Sequence, residues 1–172
     1  MPTIARSIRG ASSVRAFVCL AASALAVTAG IGAGPAKADD ILKRVTKKAE
    51  FADARTDLQN AIINQGLKID YNGRIGEMLK RTGSDVGSSK EIYTDAEYFT
   101  FCSSKLSRAM MEADPINMGM CPYMMFVYAA PDKPGEVTIG YRAAAMRGNE
   151  ASHKALTDIN ALLDTILKEA SE

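Results

Sequence analysis

The amino-acid sequence predicts a single two-layer α/β domain of the α+β type, in which helices cover a mixed, mostly antiparallel sheet. Two observations support this class. Strand-like and helix-like apolar patterns follow one another along residues 39–172 in the order β-α-β-(α)-β-α-β-β-α. Hydrophobic residues make up 47% of the 172 residues, which is enough for a core and excludes a disordered chain.

The first half of this region is expected to contain two strands and two helices. The expected elements are a strand at 43–50, a helix at 51–63, a strand at 67–71 and a short helix at 75–79. Gly66 ends the first helix, and the pair Asn72-Gly73 is interpreted as a turn after the second strand. A Gly/Ser loop is expected at 82–89.

The second half is expected to contain three strands and two helices. The expected elements are a strand at 92–102, a helix at 103–113, strands at 123–129 and 137–144, and a long amphipathic helix at 150–170. Ser103 or Ser104 is a candidate N-cap, and Asp114-Pro115 ends the preceding helix. The stretch 123–129 is apolar throughout, which predicts a central strand buried on both faces.

The first 38 residues resemble a secretory signal peptide. They contain no Asp or Glu, three arginines precede an apolar run at 16–29, and Ala36-Lys37-Ala38 follows as a small-x-small cleavage site. Cleavage after Ala38 leaves 134 residues with 17 Lys+Arg and 20 Asp+Glu, a net charge of −3. We therefore expect a periplasmic protein with no membrane span after cleavage and no nucleic-acid partner.

Cys102 and Cys121 are the two cysteines of the mature chain. One is expected at the end of a strand and the other at the start of the next. A structural disulfide is the leading interpretation, because an oxidising compartment favours pairing. A thiol redox pair and metal ligation remain alternatives. A redox role would require a reactive, low-pKa thiol at Cys102, near the start of the 103–113 helix.

The metal alternative depends on a cluster of methionines around Cys121. Met118, Met120, Cys121 and Cys102 form a candidate copper set, because thioethers and thiolates suit Cu(I). Core packing is the competing interpretation of the methionines on the neighbouring helix and strand. The same loop is the candidate ligand or partner site, with residues Asn117, Met118, Met120, Pro122 and Tyr123.

No catalytic residues are assigned from the sequence. His153 is the sole histidine and is expected to be exposed at the start of the last helix. One histidine excludes a multi-histidine zinc site within one chain, and no nucleophile motif accompanies it. Six tyrosines fall mostly on strands, where half-buried packing or a ligand groove over the sheet would explain them.

Several stretches resemble the family of domains of unknown function numbered 302. The helix ending at Gly66 with the strand at 67–71 resembles the family's opening, and so does the stretch 101–115 leading through Met120-Cys121-Pro122 into the strand at 123–128. The resemblance covers about 45–144. It implies a compact α/β domain that often dimerises, with no established activity or catalytic residues.

The leading functional hypothesis is an exported accessory domain, not an enzyme, that binds a small ligand or a periplasmic protein without a cofactor. A homodimer through a sheet face or edge is compatible with it. The alternatives are a periplasmic copper-handling protein and a thiol redox protein or enzyme of unknown chemistry.

Overall fold

The structure is a computed structural model that describes residues 41–172. The predicted signal peptide at 1–38 and its cleavage site lie outside the described residues. The strands are β1 (Leu42–Lys48), β2 (Ile69–Gly73), β3 (Asp95–Phe101), β4 (Tyr123–Ala129) and β5 (Glu136–Arg142). The helices are α1 (Phe51–Asn64), α2 (Ile75–Thr82), α3 (Ser104–Ala113) and α4 (Glu150–Ser171), with short 3₁₀ turns at Ser84–Val86 and Pro115–Met120.

The five strands form one sheet in the order β1-β5-β4-β3-β2, and every neighbouring pair is antiparallel. The predicted α+β class and order of elements are confirmed. The strand β4 occupies the centre of the sheet, as its apolar sequence predicts. Because side chains alternate along each strand, the sheet has an inner face, which contacts α1 and α4, and an outer face.

The hydrophobic core lies between the inner face and two helices. On the sheet side, Phe99 of β3, Met125 of β4 and Tyr141 of β5 are aligned across three strands and almost fully buried. The apolar stripe of α4 covers them and its buried members include Leu156, Ile159, Leu163 and Ile166. Full burial of each such side chain stabilises the fold by about 1.5–3 kcal/mol.

The prediction that β4 is buried on both faces is wrong. Tyr123, Met125 and Val127 are buried on the inner face, whereas Met124, Phe126 and Tyr128 on the outer face are only half-buried. The continuous apolar run correctly indicates a central strand. It cannot indicate that α1 and α4 both pack on the same side.

The interpretation of Asn72-Gly73 as a turn is also wrong. Both residues belong to β2, where Asn72 pairs with Phe99 and Gly73 pairs with Tyr98. A Cβ atom at Gly73 would overlap the Tyr98 ring, so glycine is needed here for close packing. The Asn72 amide donates to Glu97 Oε2 at 2.8 Å, and this contact holds the side chain within the sheet.

Polar side chains define where the later elements begin and end. Ser103 caps α3 by accepting from the Leu106 N–H at 3.4 Å, and Asn149 caps α4 by accepting from the Ser152 N–H at 2.9 Å. Asn160 bonds both the N–H and the carbonyl of Ala144, at 2.8 and 3.0 Å. Ala144 therefore pairs with α4 instead of a strand, and β5 ends at Arg142, earlier than predicted.

A buried tyrosine links the sheet to α4. The Tyr141 hydroxyl donates to Asp164 Oδ1 at 2.5 Å, and the tyrosine is 1% exposed. Burial raises the pKa of Tyr141 well above its ordinary value, and the hydrogen bond to Asp164 and the charge of that carboxylate raise it further. The folded state therefore keeps the phenol neutral.

This arrangement predicts that stability falls at alkaline pH. Above pH 10, the unfolded chain loses the Tyr141 proton and the folded chain keeps it, so the free energy of unfolding decreases as pH rises. In Tyr141→Phe the decrease should be shallower, and the remaining slope includes Tyr123, whose pKa burial also raises. Urea unfolding of both proteins at pH 8 and pH 10.5 measures the difference. Parallel pH dependences would contradict this role of Tyr141.

Candidate functional site

The outer face of the sheet contains a groove of about 470 Å³, which we call the outer groove. Its walls and floor include the side chains of Leu42, Arg44, Ile75, Tyr93, Tyr98, Met124, Phe126 and Tyr128. Strand β1 contributes one wall, and the start of α2 contributes the other. The floor comes from β3 and β4, whose outer-face residues neither α1 nor α4 covers.

Two glycines shape the floor of the outer groove. A single cross-strand row contains Arg44, Gly140, Phe126, Tyr98 and Gly73, from β1 to β2. A Cβ atom at Gly140 would lie 2.5 Å from Phe126 Cζ, and one at Gly73 would overlap the Tyr98 ring. Both rings therefore extend over the glycine of the neighbouring strand. The result is a low, largely aromatic floor.

Neighbouring aromatic rings extend this floor along β4. The Phe126 and Tyr128 rings are 6.2 Å apart with an interplanar angle of 21°, and Tyr93 contacts Tyr128 at 5.3 Å between ring centroids. Three of the six tyrosines, Tyr93, Tyr98 and Tyr128, line the outer groove. Tyr123 and Tyr141 instead belong to the buried core.

The second wall of the outer groove is held in place by a close helix–strand contact. A Cβ atom at Gly76 of α2 would lie 2.8 Å from the Ala96 nitrogen of β3. Glycine at this position lets the helix approach the strand backbone. Ile75, the preceding residue, then lines the groove beside Tyr98.

The charged groups around the outer groove are mostly directed elsewhere. Glu97 borders it, but the Glu97 carboxylate accepts from Arg55 Nε at 2.9 Å and from Asn72, and the Arg55 guanidinium also lies over the Phe99 ring. Arg44 is exposed, and within residues 41–172 it makes no side-chain hydrogen bond or ion pair. The groove therefore combines an aromatic floor with an unpaired cation.

The structure separates the residues of the predicted ligand or partner loop. Asn117 is fully buried and Tyr123 is 3% exposed, whereas Met118 is 68% exposed and Pro122 also faces solvent. Met120 packs against the core. Met120, Pro122 and Tyr123 still border a cavity of about 250 Å³, which Ile159 and Leu163 of α4 close on the other side.

The Asn117 side chain joins two helices. Its amide donates to the Met110 carbonyl at 2.8 Å, at the end of α3, and to Ser152 Oγ at 3.0 Å, at the start of α4. Asn117 and Ser152 are both fully buried. The contacts of Asn117 are thus those of a structural link.

Cys102 and Cys121 lie at disulfide distance, with their Cα atoms 6.4 Å apart. Ser107 lies beside them, with its hydroxyl 3.7 Å from Cys121 Sγ and 3.0 Å from the Tyr123 hydroxyl. Burial raises the pKa of Tyr123, and the Ser107 hydrogen bond opposes this increase. The phenol is therefore held neutral next to the cysteine pair.

The candidate copper set does not converge in this arrangement. The two sulfurs of Cys102 and Cys121 contact each other, Met118 extends into solvent and Met120 packs inward. Within residues 41–172, no group of three or more His, Cys, Asp or Glu side chains could hold a metal ion. Copper binding by this loop stays a prediction that requires reduced cysteines.

The structure also bears on the expectations for His153, for the core methionines and for a membrane span. His153 is exposed in the first turn of α4, as predicted. Met110 and Met125 are fully buried core residues, whereas Met124 lines the outer groove. None of the helices between residues 41 and 172 combines the length and apolar character needed to cross a membrane.

Another depression, of about 390 Å³, lies beside α2 and the Gly/Ser loop.

Sequence reasoning did not single out Leu42, Arg44, Ile75, Met124 or Phe126 as site residues. The apolar run of β4 was the available signal for Met124 and Phe126. Because side chains alternate along a strand, every second residue of β4 must face away from the side chains of Met125 and Val127. Arg44 carries no recognisable signal, because its neighbours in space come from β4 and β5, more than 80 residues away along the chain.

Comparisons with known proteins agree with the fold. A crystal structure of an "uncharacterized conserved protein DUF302" from Bacillus stearothermophilus superposes with a TM-score of 0.63 and 14% identity, covering 76% of this chain and 98% of that one. No curated protein matches the sequence. The family model described as "Domain of unknown function DUF302" matches residues 42–170. The chain belongs to the DUF302 family.

Proposed function

We propose that this chain is an exported accessory domain, not an enzyme, that binds a small apolar ligand in its outer groove. One observation carries the proposal: half-buried aromatic side chains of β3 and β4 form the floor of a groove on the face that α1 and α4 leave uncovered. Apolar surface of this kind marks binding sites in soluble proteins, because covering it removes apolar area from water.

Side chains on both sides of the floor support a small ligand. Leu42 and Arg44 border the floor on the β1 side, and Ile75 borders it on the α2 side. A narrow molecule lying between these side chains would contact the Phe126 ring directly.

Export is supported by two features. Residues 1–38 have the basic, apolar and small-residue segments of a signal peptide. The two cysteines expected in the mature chain lie at disulfide distance, and such pairs persist in oxidising compartments such as the periplasm. A covalent Cys102–Cys121 bond would connect the end of β3 to the segment that leads into β4.

The disulfide proposal predicts a measurable loss of stability. Cys102 and Cys121 are 19 residues apart in the sequence. Opening a loop of this length should lower the free energy of unfolding by about 3 kcal/mol in the chain-entropy model. Urea unfolding of the mature protein (residues 39–172) and of a Cys102→Ser/Cys121→Ser double variant measures the loss. Reductant should destabilise the mature protein and leave the double variant unchanged. Equal sensitivity to reductant in both proteins would contradict a structural disulfide.

The binding proposal predicts that Phe126 contributes strongly to the uptake of a neutral apolar dye. Titration of the mature protein with Nile red should show saturable binding, and Phe126→Ala should weaken it about tenfold, which corresponds to about 1.4 kcal/mol of lost contact. Fluorescence titration gives the dissociation constants.

Phe51→Ala is the matched control for this experiment. Phe51 is also a half-buried phenylalanine, but it packs against the core at the start of α1. Its replacement should destabilise the fold and leave dye affinity unchanged. Equal loss of affinity in both variants would contradict the assignment of the groove. The assignment would also be contradicted if native mass spectrometry shows a homodimer and the titration shows no dye binding.

A further inference from the structure

We propose that the ligand of the outer groove is an apolar carboxylate, whose acid group pairs with Arg44 and whose apolar body lies over Phe126 and Tyr98. This inference rests on the proposed function and adds the chemical class of the ligand. It comes from the position of the exposed Arg44 guanidinium at the end of an aromatic row.

Arg44 and the aromatic floor belong to the same cross-strand row. Arg44 pairs with Gly140, and Gly140 pairs on its other side with Phe126. A Cβ atom at Gly140 would lie 3.0 Å from Arg44 Cβ and 2.5 Å from Phe126 Cζ. The glycine therefore lets the base of the arginine side chain and the edge of the Phe126 ring approach each other.

The charges around this row favour a negatively charged ligand. Arg44 has no ion-pair partner within the part of the chain that the structure describes. Glu97 borders the groove only through its backbone, because its side chain lies on the inner face with Phe99, where the carboxylate pairs with Arg55 and Asn72. Arg142 lies opposite Leu42 in the next row and is also exposed. The accessible charges on this side of the groove are thus positive.

The geometry of the row also sets the size of the ligand. Strands lie about 4.8 Å apart, so the row extends about 10 Å from Arg44 on β1 to Phe126 on β4, and about 14 Å to Tyr98 on β3. A guanidinium binds a carboxylate through two parallel hydrogen bonds. A ligand with one carboxylate and a medium-length apolar chain matches this distance, with the carboxylate at Arg44 and the chain over Phe126 and Tyr98.

The test compares two probes that share an apolar chain and differ in charge. Sodium decanoate and 1-decanol are titrated into the mature protein (residues 39–172) by isothermal calorimetry, below their aggregation limits. The wild-type protein should bind decanoate about tenfold more tightly than decanol. Arg44→Gln should abolish this preference by weakening decanoate binding alone, and Arg44→Lys should retain part of it.

Arg108→Gln is the matched control. Arg108 is an exposed arginine of α3 that pairs with Glu112, and the charge change is the same as in Arg44→Gln. This variant should keep the full preference for decanoate. Thermal unfolding of all three variants establishes that they are folded.

The outcomes separate this inference from the proposed function. Equal binding of decanoate and decanol to the wild-type protein, or an unchanged preference in Arg44→Gln, would overturn the carboxylate assignment while leaving an apolar site. Failure of both probes to bind would contradict the proposed function itself.

Discussion

The packing of α1 and α4 on one face of the sheet is the interaction on which the other features depend. The two helices contact each other and cover the inner side of the central strands, where Leu58, Ile62, Leu156 and Ile159 are fully buried. An antiparallel sheet needs only one covered face to fold. Both long helices are used on that face, so the apolar residues of β4 on the other face remain at the surface.

Polar contacts secure the ends of this layer and leave the outer groove unobstructed. Asn117 connects α3 to α4, Asn160 connects α4 to Ala144, and Tyr141 connects β5 to α4. Cys102 and Cys121 lie at disulfide distance between the two segments that flank α3. All these contacts lie at the inner layer or its margins. A ligand bound in the outer groove, as we propose, would leave the interactions that stabilise the fold undisturbed.

Local patterns in the sequence predict most of the fold. The stripe of α4, a serine cap at Ser103 or Ser104 and the central position of β4 follow from spacing and residue type, and the structure confirms them with Ser103 as the cap. The errors arise where the decisive contact is distant along the chain. Gly73 has the pattern of a turn residue, but its role is to accommodate the Tyr98 ring of the neighbouring strand.

The candidate site could be predicted only in part. The tyrosines on strands are compatible with a groove over the sheet or with half-buried packing, and three of them line the outer groove. The clustering of methionines in the sequence predicts a site in the loop around Cys121. Its side chains nevertheless separate, since Asn117 turns inward to link two helices and Met118 turns outward. The importance of Arg44 depends on sheet register, which local periodicity does not specify.

Methyl NMR of the mature protein with ¹³C-methyl methionine tests the central claim most directly. Met124 reports on the outer groove, Met125 on the inner face one residue away, and Met118 and Met120 on the loop. During titration with decanoate, we expect the Met124 methyl signal to shift and saturate while those of Met118 and Met125 stay in place. A saturating shift confined to Met118 and Met120 would place binding at the loop and contradict the account.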